Sequence, residues 1–240
     1  MKSLFLLLFV FSTFQIKAQQ EDIIPTHDTF TLTSRQLGET RTINVWMPKS
    51  YSDLPVLYML DGGVKEDFPH VAATLMELID KNIIPPIILV GIENTQRRRD
   101  LTGFTDVEED KKIAPIVGGS AQFRAFVKEE LFPAVGKKYR VNEEKSIIGE
   151  SLAGLFVVET LLTDPAMFNN YIAFDPSLWW NDGEMVKQTK TRLTKLTNQT
   201  NRFWFAASNT KDIFTHTKKL AETLKLASLP QLKWKYISAL

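Results

Sequence analysis

Cysteine is absent from all 240 residues. That excludes disulfides, thiolate nucleophiles, thiolate metal sites and a lipid-modified cysteine. Stability must then come from a hydrophobic core, which a chain of this length can build. Histidine is scarce, with only His27, His70 and His216. So few ligands show no HExxH or CxxC spacing, and no metal site is expected. Neither GxxxxGK[ST] nor GxGxxG occurs, so no nucleotide or other cofactor is expected. Excess charge is missing too: the formal net charge is +1, which leaves no basic footprint for nucleic acid or an anionic membrane. No internal repeat or low-complexity tract is present.

Long apolar runs are confined to the N-terminus. Residues 1–18 carry Lys2, an apolar stretch from Leu4 to Phe14, and a small Ala18 before Gln19. This is the layout of a secretory signal peptide, and its apolar part is short for a membrane span. An uncleaved anchor is the rival reading. The expectation is an exported protein, periplasmic or secreted, with residues 1–18 removed and 19–240 forming the domain. No later segment approaches the length needed to cross a bilayer.

The remaining sequence has an ordinary globular composition, 44% hydrophobic and 24% charged. Strand-like and helix-like segments alternate, which predicts an α/β fold, a mostly parallel sheet with helices on both faces. Residues 29–34 and 40–47 read as a leading antiparallel pair around Gly38. PVLYML (55–60) and PIILVGI (86–92) are apolar throughout, as buried strands are. Further strands are expected at 145–149, 171–175, 202–208 and 232–237. Helices are expected at 68–80, 119–139 with a kink at Pro133, 152–163, 183–197 and 214–227. Residues 93–118 are polar without periodicity and read as one long loop, a feature that is usually functional.

The chemistry concentrates at Gly149-Glu150-Ser151-Leu152-Ala153-Gly154. An apolar strand before it and an apolar helix after it are the context of a nucleophile elbow, G-x-S-x-G, with Ala153 at the final position. The alternative is that Ser151 merely caps the helix that follows. Asp61-Gly62-Gly63 follows PVLYML, where this kind of fold draws a second oxyanion donor; the first would be the Leu152 amide.

These segments resemble the α/β-hydrolase esterases related to esterase D and to the siderophore esterases. The resemblance is carried by LYMLDGG (57–63), VGIENTQRRRDLT (90–102), GGSAQFRAFVKEEL (118–131), GESLAGLFVVE (149–159) and AFDPSLWWN (173–181). It implies an α/β-hydrolase fold and a Ser151 nucleophile, with Leu152 and Gly62 or Gly63 as oxyanion donors. The Arg97–Asp100 stretch and Ser177–Trp180 would border a pocket for a small-molecule ester, with Arg99, Asp100, Trp179 and Trp180 as its substrate-binding residues. Glycine is usual in such relatives where Ala153 stands. The arginines could instead be a solvated loop face, and the tryptophans core aromatics.

The base is the gap. In this fold the chain order is serine, acid, histidine, with the histidine after the last strand. Asp212 lies near where the acid is expected, although it also suits an exposed helix start. His216, the sole histidine downstream of Ser151, sits in the acid's neighbourhood and is the unconventional candidate for the base, although no histidine is assigned. His70 follows the Asp61-Gly62-Gly63 turn, and His27 is expected to be exposed. The reading is therefore of a sequence cut short before its histidine loop and final helix, with activity weak or absent. A non-catalytic ligand-binding protein on the same fold is the competing expectation. Asn198-Gln199-Thr200 matches a glycosylation acceptor, a short motif.

Overall fold

The computed structural model of the chain describes residues 24–49, 52–194, 196 and 200–238. The expected signal peptide lies outside the described residues, as do Asn198 and Gln199 of the glycosylation motif.

Eight strands form one sheet: β1 (Asp28–Ser34), β2 (Glu39–Trp46), β3 (Leu54–Met59), β4 (Ile88–Ile92), β5 (Val141–Glu150), β6 (Asn170–Phe174), β7 (Asn201–Ala207) and β8 (Leu232–Ser238). Their order is β1-β2-β4-β3-β5-β6-β7-β8. β1 and β2 pair antiparallel, β2 meets β4 antiparallel, and every later pairing is parallel. Parallel neighbours require crossover helices, and these cover the sheet.

The apolar runs divide by the period of two that a strand imposes. Val56 and Tyr58 of β3 enter the larger core with Ile88, Val90 and Ile92 of β4. Leu57 and Met59 face the other way, meeting Leu89 and the helix α1 (Phe68–Asp80) through Phe68, Ala72 and Leu75. The larger core is closed by α4 (Ser120–Phe126), α5 (Phe132–Lys138), α6 (Leu152–Thr163), α7 (Trp180–Leu193) and α8 (Lys211–Ala227). On the α1 side, Phe174 and Ile237 remain exposed.

Three expectations change in detail. The 93–118 loop holds two short helices, α2 (Arg97–Leu101) and α3 (Glu108–Ile113). Neither is long enough to display a helical period in the sequence. Between α4 and α5 the chain widens into a π-helical turn, Val127–Leu131, just before Pro133. Such a turn accommodates the ring that would clash in a regular helix. The helix expected at 183–197 is α7, which starts at Trp180 and carries three left-handed residues, Asn181, Asp182 and Gly183.

Candidate active site

β5 ends at Glu150 and α6 begins at Leu152, leaving Ser151 alone to make the turn. Its backbone is left-handed, φ 59° and ψ −118°. A non-glycine residue there is uncommon and strained. The surroundings hold it. Ser151 N–H donates to the Phe174 carbonyl at 3.0 Å, and its own carbonyl accepts from Leu155 N–H (2.9 Å) and Ser177 N–H (3.0 Å).

The turn is tight because of two glycines. A Cβ on Gly149 would lie 2.6–2.7 Å from the Ala153 backbone and methyl. Alanine is therefore accommodated at 153 because position 149 is bare. A Cβ on Gly154 would lie 2.8 Å from the Phe174 carbonyl oxygen, so glycine lets α6 close on the chain after β6.

The Ser151 side chain makes no capping bond to α6. That removes the helix-cap alternative. Its Oγ instead lies 3.2 Å from the Oγ of Ser177, which is 2% exposed. Leu152 N–H, at the first position of α6, has no acceptor within the helix and carries the positive end of its dipole.

Strain recurs along this edge. Asp61 after β3 (φ 55°) and Asp175 after β6 (φ 42°) are also left-handed, and those strands flank β5. In the β3 turn, Gly62 N–H donates to the Ile92 carbonyl at 2.9 Å. Gly63 N–H donates to the Glu66 carboxylate at 2.7 Å, so an anionic oxygen already occupies that amide. Asn94 Nδ2 ties Asp61 (2.6 Å) to Glu66 (2.8 Å).

The arginine run separates by function of place. Arg97 makes two hydrogen bonds to the Asp61 carboxylate and reaches the Glu150 carbonyl at 3.4 Å. Arg98 donates to the Ile113 carbonyl. Arg99 and Asp100 turn away to a network with Glu39 and Arg41, in which Asp100 and Arg41 are fully buried. Burial raises the Glu39 carboxyl, but hydrogen bonds from Arg99, Thr95 and Arg41 outweigh it and hold its pKa at about 2. The network anchors α2 to β2.

Carboxylates collect on the α1 side of the elbow. Partial burial lifts Glu150 above the usual carboxylate range, and the charges of Asp67, Asp175 and Asp61 add to the lift. Asp67 is raised likewise, by burial and then by Asp61 and Glu66. Both border a cavity of about 390 Å³ shared with His70 and floored by Leu57, Met59 and Leu75.

Trp180 is buried and donates from its indole to the Gly103 carbonyl at 3.2 Å, while Trp179 is half-buried beside it. Asn181 pins the loop before α3 by accepting from Thr105 and donating its N–H to Asp110. Asp212 stands exposed in the first turn of α8, and its carbonyl accepts from His216 Nδ1 at 2.8 Å. The His216 ring faces Gly183 of α7. His27, expected to be exposed, is half-buried edge-on against Phe68, because its Nδ1 donates back to the Pro25 carbonyl. Among the described residues no cluster of three or more His, Cys, Asp or Glu suits a metal ion.

Sequence reasoning missed the Ser177 contact and the Glu66 carboxylate on Gly63. The first lies 26 residues away across a strand crossover, and nothing in its spacing signals it.

A family profile described as "Putative esterase" matches residues 34–233. The chain is 31% identical over 189 residues to the ferri-bacillibactin esterase BesA of Bacillus subtilis, covering 68% of this chain and 63% of that protein. It is 29% identical to the siderophore triacetylfusarinine C esterase of Aspergillus fumigatus, covering 64% of this chain and 56% of that one. The matched stretch thus spans less than two thirds of these curated relatives. Among solved structures, an IroE-like serine hydrolase from Shewanella oneidensis superposes with a TM-score of 0.79 at 26% identity, over 89% of this chain and 73% of that one. The BES protein from Bacillus cereus superposes at 0.80 and 23% identity, over 92% and 91%.

Proposed function

The chain belongs to the esterase family matched over residues 34–233, and from that premise we propose that it hydrolyses a carboxylic ester through an acyl-enzyme on Ser151. The observation that carries this reading is the strained left-handed backbone of Ser151 between β5 and α6. Ser151 Oγ attacks the ester carbonyl carbon. The C–O bond to the alcohol breaks, and the hydroxyl proton leaves with that alcohol. Water then hydrolyses the acyl-serine. Leu152 N–H is the first oxyanion donor. Gly63 N–H becomes the second once Glu66 turns aside, whereas Gly62 N–H stays with the Ile92 carbonyl. The relatives are named as esterases of siderophores, so the substrate proposed is a small-molecule ester of that kind.

The Ser151 hydroxyl pairs with the Ser177 hydroxyl, a neutral group that does not take its proton, so acylation from this resting arrangement is proposed to be slow. Oxyanion donors and binding alone retain roughly 10³–10⁴-fold acceleration over water. That pairing also favours a second reading, a ligand-binding protein on this fold. Export through residues 1–18 is also proposed, and sequencing the N-terminus of the exported protein tests it.

A fluorophosphonate probe separates the two readings, because it forms a covalent adduct only with an activated serine. Mass spectrometry is expected to locate the adduct on Ser151. A folded sample that carries no adduct there would leave the binding protein.

A further inference from the structure

Among the described residues the buried hydroxyl of Ser177 pairs with the Ser151 hydroxyl at 3.2 Å. Buried hydroxyls need a partner, so this pairing defines where the Ser177 side chain can point. The backbone around it is braced. Asp175 N–H donates to the Ala206 carbonyl (2.9 Å), and Ser208 N–H donates to the Asp175 carboxylate (2.5 Å). Ser177 N–H binds the Ser151 carbonyl, and the Ser177 carbonyl accepts from Trp180 N–H at 3.1 Å. Bare Gly154 allows Pro176 to approach the helix, since a Cβ there would be 3.0 Å from the Pro176 Cα. The hydroxyl is therefore presented from a fixed frame.

An exposed serine divides among three staggered rotamers. One hydrogen bond to a fixed partner is enough to favour a single well. At 3.2 Å the pair is longer than an optimal O–H···O bond, so it is weak enough to break when Ser151 turns to a carbonyl carbon. We propose that Ser177 is a positioning residue that holds Ser151 Oγ in one resting rotamer, aimed away from the α6 amides. The proposal rests on the nucleophile reading for its consequence, but not for its geometry.

Ser177→Ala removes the hydroxyl with little change in volume, and Ser177→Thr restores it. Because the resting bond must break before attack, the expected result is a fluorophosphonate inactivation rate at saturation about 3- to 10-fold higher in S177A. The half-saturating probe concentration and the thermal midpoint should be unchanged, and S177T should restore the wild-type rate. A rate in S177A equal to or lower than that of wild type would overturn it. If the wild type takes no adduct at Ser151, the nucleophile reading fails separately. Atomic-resolution structures of wild type and S177A then decide the geometry. One Ser151 rotamer in the wild type and several in S177A support the role; the same single rotamer in both overturns it.

Discussion

Arg97 grips Asp61 through two hydrogen bonds of 2.6 and 2.8 Å and touches the Glu150 carbonyl, so one guanidinium spans the turn after β3 and the residue before the nucleophile. Its charge offsets part of the repulsion among Asp61, Asp67 and Glu150 and lowers the pKa of the last two.

The Glu150 carboxyl should therefore titrate above an ordinary glutamate in carboxyl-resolved NMR. Arg97→Met should move it further up, and Asp67→Asn should bring it down. A folded-state pKa above the unfolded value of 4.5 stabilises the protein below that value, and the contribution is lost as pH rises through the folded pKa. Glu150→Gln should accordingly raise the thermal midpoint at neutral pH and leave it unchanged in acid.

Strain at Ser151 predicts an unusual stability order. Glycine adopts a positive φ without penalty, while alanine keeps it. Relief of a strain of order 1–3 kcal/mol, less roughly 0.5–1 kcal/mol of glycine entropy, leaves Ser151→Gly about 1 kcal/mol more stable than Ser151→Ala. Calorimetry should place its midpoint about 2–4 °C higher.

Glu66 competes with a developing oxyanion for the Gly63 amide. Glu66→Ala should raise the rate of Ser151 phosphonylation by roughly 3- to 10-fold, the scale of one hydrogen bond. An unchanged or lower rate would place the second donor elsewhere.

The Glu39 network predicts an acid transition. Its carboxyl is held at about 2 against an ordinary 4.5, so its contribution is full above 4.5 and disappears as pH falls toward 2. Denaturant unfolding between those limits should show wild type losing stability. Glu39→Gln should follow a flatter curve, with a lower plateau at neutral pH.

The path of the chain was legible locally. Apolar runs such as Val56–Leu60 and the GESLAG turn announced β3, β5 and the elbow, because period and turn chemistry act between near neighbours. The short helices α2 and α3 were not legible, since neither completes enough turns to leave a pattern.

At the site, the amino-acid sequence by itself determined the serine, its glycine at 149 and the order of strand, turn and helix around it. Only the tertiary structure decided which arginine faces the elbow. Arg97 is drawn there by Asp61, while Arg99 and Asp100 are drawn off by Glu39 and Arg41 from a strand about 60 residues earlier. It likewise decided that the Ser151 hydroxyl pairs with the Ser177 hydroxyl rather than with a helix amide. Ion pairs and buried hydroxyls are satisfied by whatever the packed sheet brings within about 3 Å, and that proximity has no trace in residue spacing.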